Sequence, residues 1–180
     1  MSMEGLTLIE ETITEAEENE LIEYINFQEW NTELSRRVQH YGYKFPELYT
    51  MTSLVPGNPI PSIIMPLIQK LNKLLNKEFD QIIINEYKRG QGINQHIDKV
   101  DLFGDTIVSL SLGSRTVMDF YNIQNEEIIS MELPVRSLLI LQGEARYIWR
   151  HGIKGKNNDN GIPRGTRISI TFRTKQNRNI

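Results

Sequence analysis

The 180-residue chain contains no cysteine, which excludes a disulfide scaffold, a thiolate zinc site and a cysteine nucleophile together. No run approaches the roughly 20 apolar residues needed to span a bilayer. The first twenty residues (MSMEGLTLIEETITEAEENE) are acidic, unlike a signal or transit peptide. These absences point to a soluble, intracellular protein, cytoplasmic and without a membrane partner. An excess of positive charge is missing too. The net charge is −3 and the pI near 5.7, which argues against non-specific coating of nucleic acid.

What remains is an ordinary globular mixture, 39% hydrophobic and 24% charged, in a length that suits one domain with its own core. The charge is unevenly spread. Residues 1–35 hold ten Glu and no Lys or Arg, whereas residues 136–180 hold ten Lys or Arg (Arg178 the last) against Glu144 and Asp159. This distribution fits either an acidic helix and a solvated basic surface, or a basic face that contacts phosphates or a carboxylate ligand.

Thr14-Glu15-Ala16-Glu17 has the pattern of a helix N-terminus, and Ala16, Leu21, Ile22 and Ile25 continue it to a helix over about 14–26. A second helix is expected over 62–76, with Ile63, Ile64, Leu67, Ile68, Leu71, Leu74 and Leu75 as its apolar stripe. The aromatic and Pro-rich stretch between them reads as loops and short strands. From residue 82 the texture becomes that of strands: 82–87, 106–112, 116–121, 128–133, 137–141, 146–150 and 167–173. Lys154–Gly165 reads as a polar loop. Seven such runs in about ninety residues indicate a mainly β sandwich or barrel with flanking helices, an α+β chain. The expectation is one domain, with helices and a substrate-lid segment over 1–80 and the β core over 81–175.

His96-Ile97-Asp98 follows a strand and a Gly-rich turn, and residues two apart in extended chain point to one side. His151, in Trp149-Arg150-His151-Gly152-Ile153, supplies a second imidazole at the end of a later strand. Two His and one carboxylate on one face of a metal leave open positions, the arrangement suited to non-haem Fe(II) and O2. In Arg167-Ile168-Ser169-Ile170-Thr171-Phe172-Arg173 the two Arg stand six apart on an alternating strand and so share a side. On a core-facing side they need anionic partners, and a dicarboxylate meets that need through forked, charge-assisted bonds.

Between about residues 36 and 173 the chain resembles the AlkB-type Fe(II)/2-oxoglutarate dioxygenases. The matching pieces are Asn85-Glu86-Tyr87, His96-Ile97-Asp98, Ser109 to Ser114, Arg146 to Ile153, and Arg167 to Arg173. NEYKRGQGINQHID, IVSLSLGS, VMDF and RYIWRHGI resemble in particular the oxygenase domain of the tRNA wobble-uridine hydroxylases. The resemblance implies a double-stranded β-helix (a jelly roll) with two N-terminal helices packed outside. It implies Fe(II) held by His96, Asp98 and His151, with 2-oxoglutarate and O2 as cosubstrates. Arg167 and Tyr87 would bind the distal carboxylate of 2-oxoglutarate, and Arg173 and Asn85 would sit by the carboxylate nearest iron. Succinate and CO2 would be released, and a substrate C–H oxidised.

Arg36, Arg37, His40, Tyr41 and Tyr43 resemble the family's substrate-lid segment, where paired Arg with interleaved rings suits a phosphate-bearing strand and a stacked base. The alternative is an aromatic loop packed on the barrel. Arg146 is either substrate-facing or a strand-edge salt bridge. Val100 stands where those hydroxylases carry a structural-zinc His, and with no Cys that zinc site is absent. They also carry an RNA-recognition module and a methyltransferase. This chain has room for neither, so RNA binding is expected from its own surface or a partner, and a separate methyltransferase is a candidate partner.

Three readings follow. The first is an oxygenase that hydroxylates a modified wobble uridine of tRNA or oxidatively demethylates an N-alkylated base in single-stranded nucleic acid. The second keeps the cofactors and acts on a protein side chain. The third is a non-catalytic binding module, which the intact His96, Asp98, His151, Arg167 and Arg173 oppose.

Overall fold

The computed structural model describes residues 3–176, so Arg178 lies outside the described residues. In chain order the elements are β1 (Leu6–Ile9), α1 (Glu15–Phe27), β2 (Val38–Tyr41), β3 (Tyr43–Lys44), β4 (Val55–Pro56), α2 (Met65–Leu75) and β5 (Gln81–Tyr87). There follow β6 (Ile93–His96), β7 (Ile107–Leu112), β8 (Thr116–Asn122), β9 (Ile128–Leu133), β10 (Leu138–Leu141), α3 (Gly143–Tyr147) and β11 (Trp149–Ile153). The chain ends with β12 (Asn158–Asp159), β13 (Ile162–Pro163) and β14 (Arg167–Arg173). None of the described helices is long and apolar enough to cross a membrane.

Two antiparallel sheets carry the molecule: a six-stranded one ordered β1-β10-β7-β14-β5-β2 and a four-stranded one ordered β6-β11-β8-β9. This is the expected jelly roll. The larger sheet is covered on both sides, which explains why its strands read as nearly continuous apolar runs. Ile82, Ile84, Val108, Leu110, Leu138, Ile140, Ile168, Ile170 and Phe172 face the helices and meet Leu21, Ile25, Leu67, Ile68 and Leu71. The opposite side points toward the smaller sheet, where Ile107, Leu139 and Leu141 join Met118, Phe120, Trp149 and Ile153.

Helix α1 begins as its sequence dictates. The Thr14 hydroxyl accepts from the Glu17 amide while the Glu17 carboxylate accepts from the Thr14 amide, closing a capping box. Its buried face is not the simple stripe expected, since Ala16 is exposed and Glu18 is buried. The Glu18 carboxylate accepts from the Gly113 amide (2.7 Å) and from Arg136 (2.8 Å), so a charged side chain on the inner face is satisfied. Helix α2 keeps Leu67, Ile68 and Leu71 inward, but Leu74 is exposed.

Three expectations change. The strand expected over 146–150 is instead the short helix α3 followed by β11. A helical turn there lets the buried Arg146 donate to the carbonyls of Asp98, Phe103 and Gly104. The first eighty residues do more than pack outside, because β1 pairs with β10 and β2 with β5, extending the larger sheet at both edges. The basic C-terminal region is not one solvated face: Arg136 pairs with Glu11 and Glu18, Arg164 with Asp159, and Arg146, Arg164, Arg167 and Arg173 are buried.

Candidate active site

The site lies between the two sheets. Strand β6 ends at His96, which stands directly opposite His151 of β11 in the antiparallel register, and the two rings approach to 4.5 Å between centroids. Asp98 follows two residues after His96, its carboxylate 3.5 Å from His151 Nε2. One ligand atom from each of His96, Asp98 and His151 lies within 4.8 Å of the others. His96 Nδ1 is 2.8 Å from the Asn94 carbonyl. A carbonyl only accepts, so Nδ1 carries the proton and Nε2 keeps its lone pair for a metal.

The electrostatics suit the same purpose. Burial lowers His151 to about 4, with His96 adding to the effect and Asp98 opposing it, so the imidazole is neutral at physiological pH. Burial alone would raise Asp98, but Arg173, His151 and His96 outweigh it and hold the carboxyl well below the usual range. Asp98 and His151 thus present one negative charge and one lone pair, the protonation states metal binding requires of them.

Strand β14 projects Arg167, Ser169, Thr171 and Arg173 into the space between the sheets, while Ile168, Ile170 and Phe172 pack behind it, as the alternation requires. Arg173 donates through Nη1 to Asp98 Oδ1 and through Nε to Gln81 Oε1 (2.8 Å). Arg167 donates through Nη2 to Ser111 Oγ (2.9 Å) and lies over the Tyr87 ring at 5.4 Å. Burial lowers Arg167 to about 10, which leaves it cationic at neutral pH. Arg167 Nε and Arg173 Nη2 are buried without a protein partner. Both arginines line a cavity of about 350 Å³ whose wall also includes Asn85, Tyr87, Ser109, His96, Asp98 and His151. Unsatisfied guanidinium nitrogens beside three convergent metal donors fit a divalent cation and a small dicarboxylate.

The substrate-lid residues are dispersed. Arg36 lines the cavity and donates through Nε to Asn85 Oδ1 (3.0 Å). Arg37 instead forms a two-pronged bond with Glu86, each distance 2.8 Å, and lies over Trp30. Tyr41 is buried on the helix side and its hydroxyl donates to Gln39. His40 packs edge-on against Phe45, and burial, with Arg173 and Lys44 adding to it, lowers it to about 4. The Tyr43 ring lies beneath the Lys175 ammonium. The cause is pairing: Val38 to Tyr41 are hydrogen-bonded to β5, so successive side chains of β2 face opposite sides of the sheet.

Arg146 is neither substrate-facing nor in a strand-edge salt bridge. It is 2% exposed and donates to the carbonyls of Asp98 (2.9 Å), Gly104 (3.0 Å) and Phe103 (3.3 Å). It therefore ties the segment leading to His151 to the loop that carries Asp98. Arg146→Met keeps the length and removes all three donors. We expect a loss of about 3 kcal/mol or more in a urea melt, together with weaker Mn(II) binding by the purified protein. Unchanged Mn(II) affinity would mean that the loop holds Asp98 in place without this anchor.

Gln81, Ser109 and Ser111 are not singled out by their sequence context. Each has the parity of a neighbour in the site, Gln81 with Asn85 and Tyr87 on β5, and the two serines with each other on β7.

The pattern of the 2OG-Fe(II) oxygenase superfamily matches residues 7–173. The chain belongs to this superfamily. It is a dioxygenase of the AlkB type, and the family implies Fe(II), 2-oxoglutarate and O2. The uncharacterized protein L905 of Acanthamoeba polyphaga mimivirus is 43% identical over 96% of this chain and 85% of its own length. The Mus musculus tRNA (carboxymethyluridine(34)-5-O)-methyltransferase ALKBH8 is 38% identical over 94% of this chain. This oxygenase spans only 30% of that mouse protein. Among solved structures, that of OsALKBH1 superposes with a TM-score of 0.73 over 97% of this chain and 98% of its own, at 18% identity. At that identity the likeness speaks for the fold.

Proposed function

We propose that His96, Asp98 and His151 hold Fe(II), and that 2-oxoglutarate lies between Arg167 with Tyr87 at its distal carboxylate and Arg173 with Asn85 at the other. The observation that carries this is that Arg167 and Arg173, each with a buried guanidinium nitrogen that lacks a protein partner, line the cavity that the three metal donors share. With both bound, the family's chemistry consumes O2, releases CO2 and succinate, and oxidises a substrate C–H. The chain's own contribution is position and charge. Arg173 orients Asp98 through Nη1 and has no protein partner at Nη2, while Ser111 accepts from Arg167 Nη2 and leaves its Nε without one. Phe103, Ile107, Met118, Leu139 and Leu141 keep the rest of the wall apolar and exclude water.

We further propose that the substrate is a nucleic-acid base: a modified wobble uridine of tRNA, or an N-alkylated base. The support is the tRNA activity in the mouse relative's name and Arg36, a cation on the cavity wall without a carboxylate partner among the described residues. Hydroxylation of an N-methyl group gives a hemiaminal that releases formaldehyde, whereas a carbon-linked side chain keeps its hydroxyl. In the N-methyl case a methyltransferase is one source of the substrate.

Nucleoside mass spectrometry after incubation with Fe(II), 2-oxoglutarate and either total tRNA or methyl-damaged single-stranded DNA tests this. The expected result is a tRNA uridine derivative one oxygen heavier, or a base that has lost a methyl with formaldehyde released. If neither changes while 2-oxoglutarate is consumed, the substrate is not a base of this kind and protein side chains become the candidates.

A further inference from the structure

Once the buried and paired arginines are set aside, the cations left outside this end of the molecule are not scattered. Lys88 and Arg89 lie in the turn after β5, Arg150 lies on β11, and Lys154 and Lys156 lie in the loop after it; all five are exposed. The turn and the loop are packed together. The Gly90 amide donates to the Lys156 carbonyl (3.2 Å). At Gly155 a Cβ would fall 2.7 Å from the Gly90 carbonyl oxygen, so only glycine allows the two backbones this approach. Strand β11 continues the patch, with Arg150 opposite Tyr121 of β8.

Against this cluster stands little negative charge. Asp119 is buried and taken by Lys154 at 2.8 Å, and Asp159 is closed by Arg164. Among the described residues Lys88, Arg89, Arg150 and Lys156 have no ion pair. In a chain whose net charge is −3, four unpaired cations on two adjoining segments are a segregation of charge that repels itself unless an anion lies across it.

The patch also has a shape. An open groove beside it is lined by Asn94, Gln95, Tyr121 and Lys154 among others, and Ile93, Asn94 and Ile153 line both the groove and the cavity. The groove and the cavity therefore share part of one wall. It offers a ring and amide side chains beside the exposed cations, the combination that single-stranded nucleic acid uses: charge for the phosphates and an aromatic face for a base.

We propose that this groove is the track for a single-stranded nucleic acid, with its phosphates along Lys88, Arg89, Arg150 and Lys156 and a base beside the reacting one on Tyr121. The proposal rests on the nucleic-acid reading above and adds the surface that holds the strand.

The test is the triple variant Lys88→Gln, Arg89→Gln, Lys156→Gln, which keeps the side-chain stems and touches neither the cavity wall nor an ion pair. Binding of a fluorescein-labelled single-stranded RNA is followed by anisotropy across a salt series, with Mn(II) affinity and substrate-free 2-oxoglutarate consumption as controls. We expect at least a roughly tenfold loss of affinity at low salt, and a log–log salt slope shallower by about 2, near 0.7 for each phosphate contact removed, with both controls unchanged. Wild-type affinity and slope in the variant would overturn the groove while leaving a nucleic-acid substrate in place. Absence of salt-dependent binding by the wild-type chain to either RNA or DNA would overturn both.

Discussion

His96→Ala, Asp98→Ala and His151→Ala each abolish succinate formation and weaken Mn(II) binding by more than about a hundredfold. The lower bound follows from chemistry, since losing a residue that merely orients a ligand costs 10- to 100-fold and losing the ligand costs more. The three variants separate in a second measurement. His96 is half-buried and its ring bonds the Asn94 carbonyl, so its removal leaves thermal stability nearly unchanged. Asp98 is 8% exposed and neutralises Arg173, so Asp98→Ala leaves a buried guanidinium without its anion and costs about 3–5 kcal/mol. Asp98→Asn distinguishes charge from shape: it keeps an oxygen for Arg173, yet places a neutral ligand where the metal requires an anion. Metal binding should fail in the Asn variant while much of the stability returns. Succinate formation persisting in His96→Ala would remove the metal assignment altogether.

The features of this site that the sequence discloses are those whose logic is local. Arg167 and Arg173 share a side because a strand alternates, and the register of β14 against β5 and β7 leaves that alternation unbroken for seven residues. The chemistry of His96 and Asp98 is legible for the same reason. His151 joins them through chain resemblance and through the pairing of β11 with β6, which no local pattern reports. Arg37, Tyr41 and Tyr43 mislead because their types suit a nucleic-acid contact, while their partners Glu86, Gln39 and Lys175 lie 49, 2 and 132 residues away. Pairing of β2 with β5 decides which of them reach the cavity.

Arg146 shows a different limit. Tyr147, Ile148 and Trp149 favour β structure and lead to the expectation of a strand around it. That local preference loses to three carbonyl acceptors in the 98–104 loop, which only a helical turn brings within reach of the guanidinium. Likewise the charge asymmetry of the sequence is real, but four residues of its basic half, Arg146, Arg164, Arg167 and Arg173, are buried. Glu18 and Glu11 meet Arg136 across the body of the protein, so acidic and basic ends that look like two separate surfaces partly neutralise each other in a shared contact. The exposed cations of that half at Arg150, Lys154 and Lys156 lie on β11 and the loop after it, and Lys154 lines the groove beside the cavity.

The two cavity arginines should fail in different ways. Arg167→Met removes a donor pair that touches Ser111 and the Tyr87 face but none of the metal donors. We expect its KM for 2-oxoglutarate to rise about 30- to 150-fold, the equivalent of about 2–3 kcal/mol for a charge-assisted hydrogen bond, with Mn(II) affinity unchanged. Arg173 serves both partners, because Nη1 holds Asp98 while Nη2 has no protein partner and the residue lines the cavity. Arg173→Lys keeps the charge near Asp98, so the metal should still bind within a few-fold of wild type. A single ammonium cannot span Asp98, Gln81 and a carboxylate at once as the planar fork does, and the requirement for 2-oxoglutarate should rise as steeply as in Arg167→Met. Arg173→Met should lose both, because Asp98 is then a buried anion without its cation and its pKa returns toward the ordinary range. Isothermal titration of Mn(II) and of 2-oxoglutarate into each variant separates these outcomes. A wild-type 2-oxoglutarate requirement in Arg173→Lys would place the cosubstrate elsewhere in the cavity and leave Arg173 as a positioning residue for Asp98 alone.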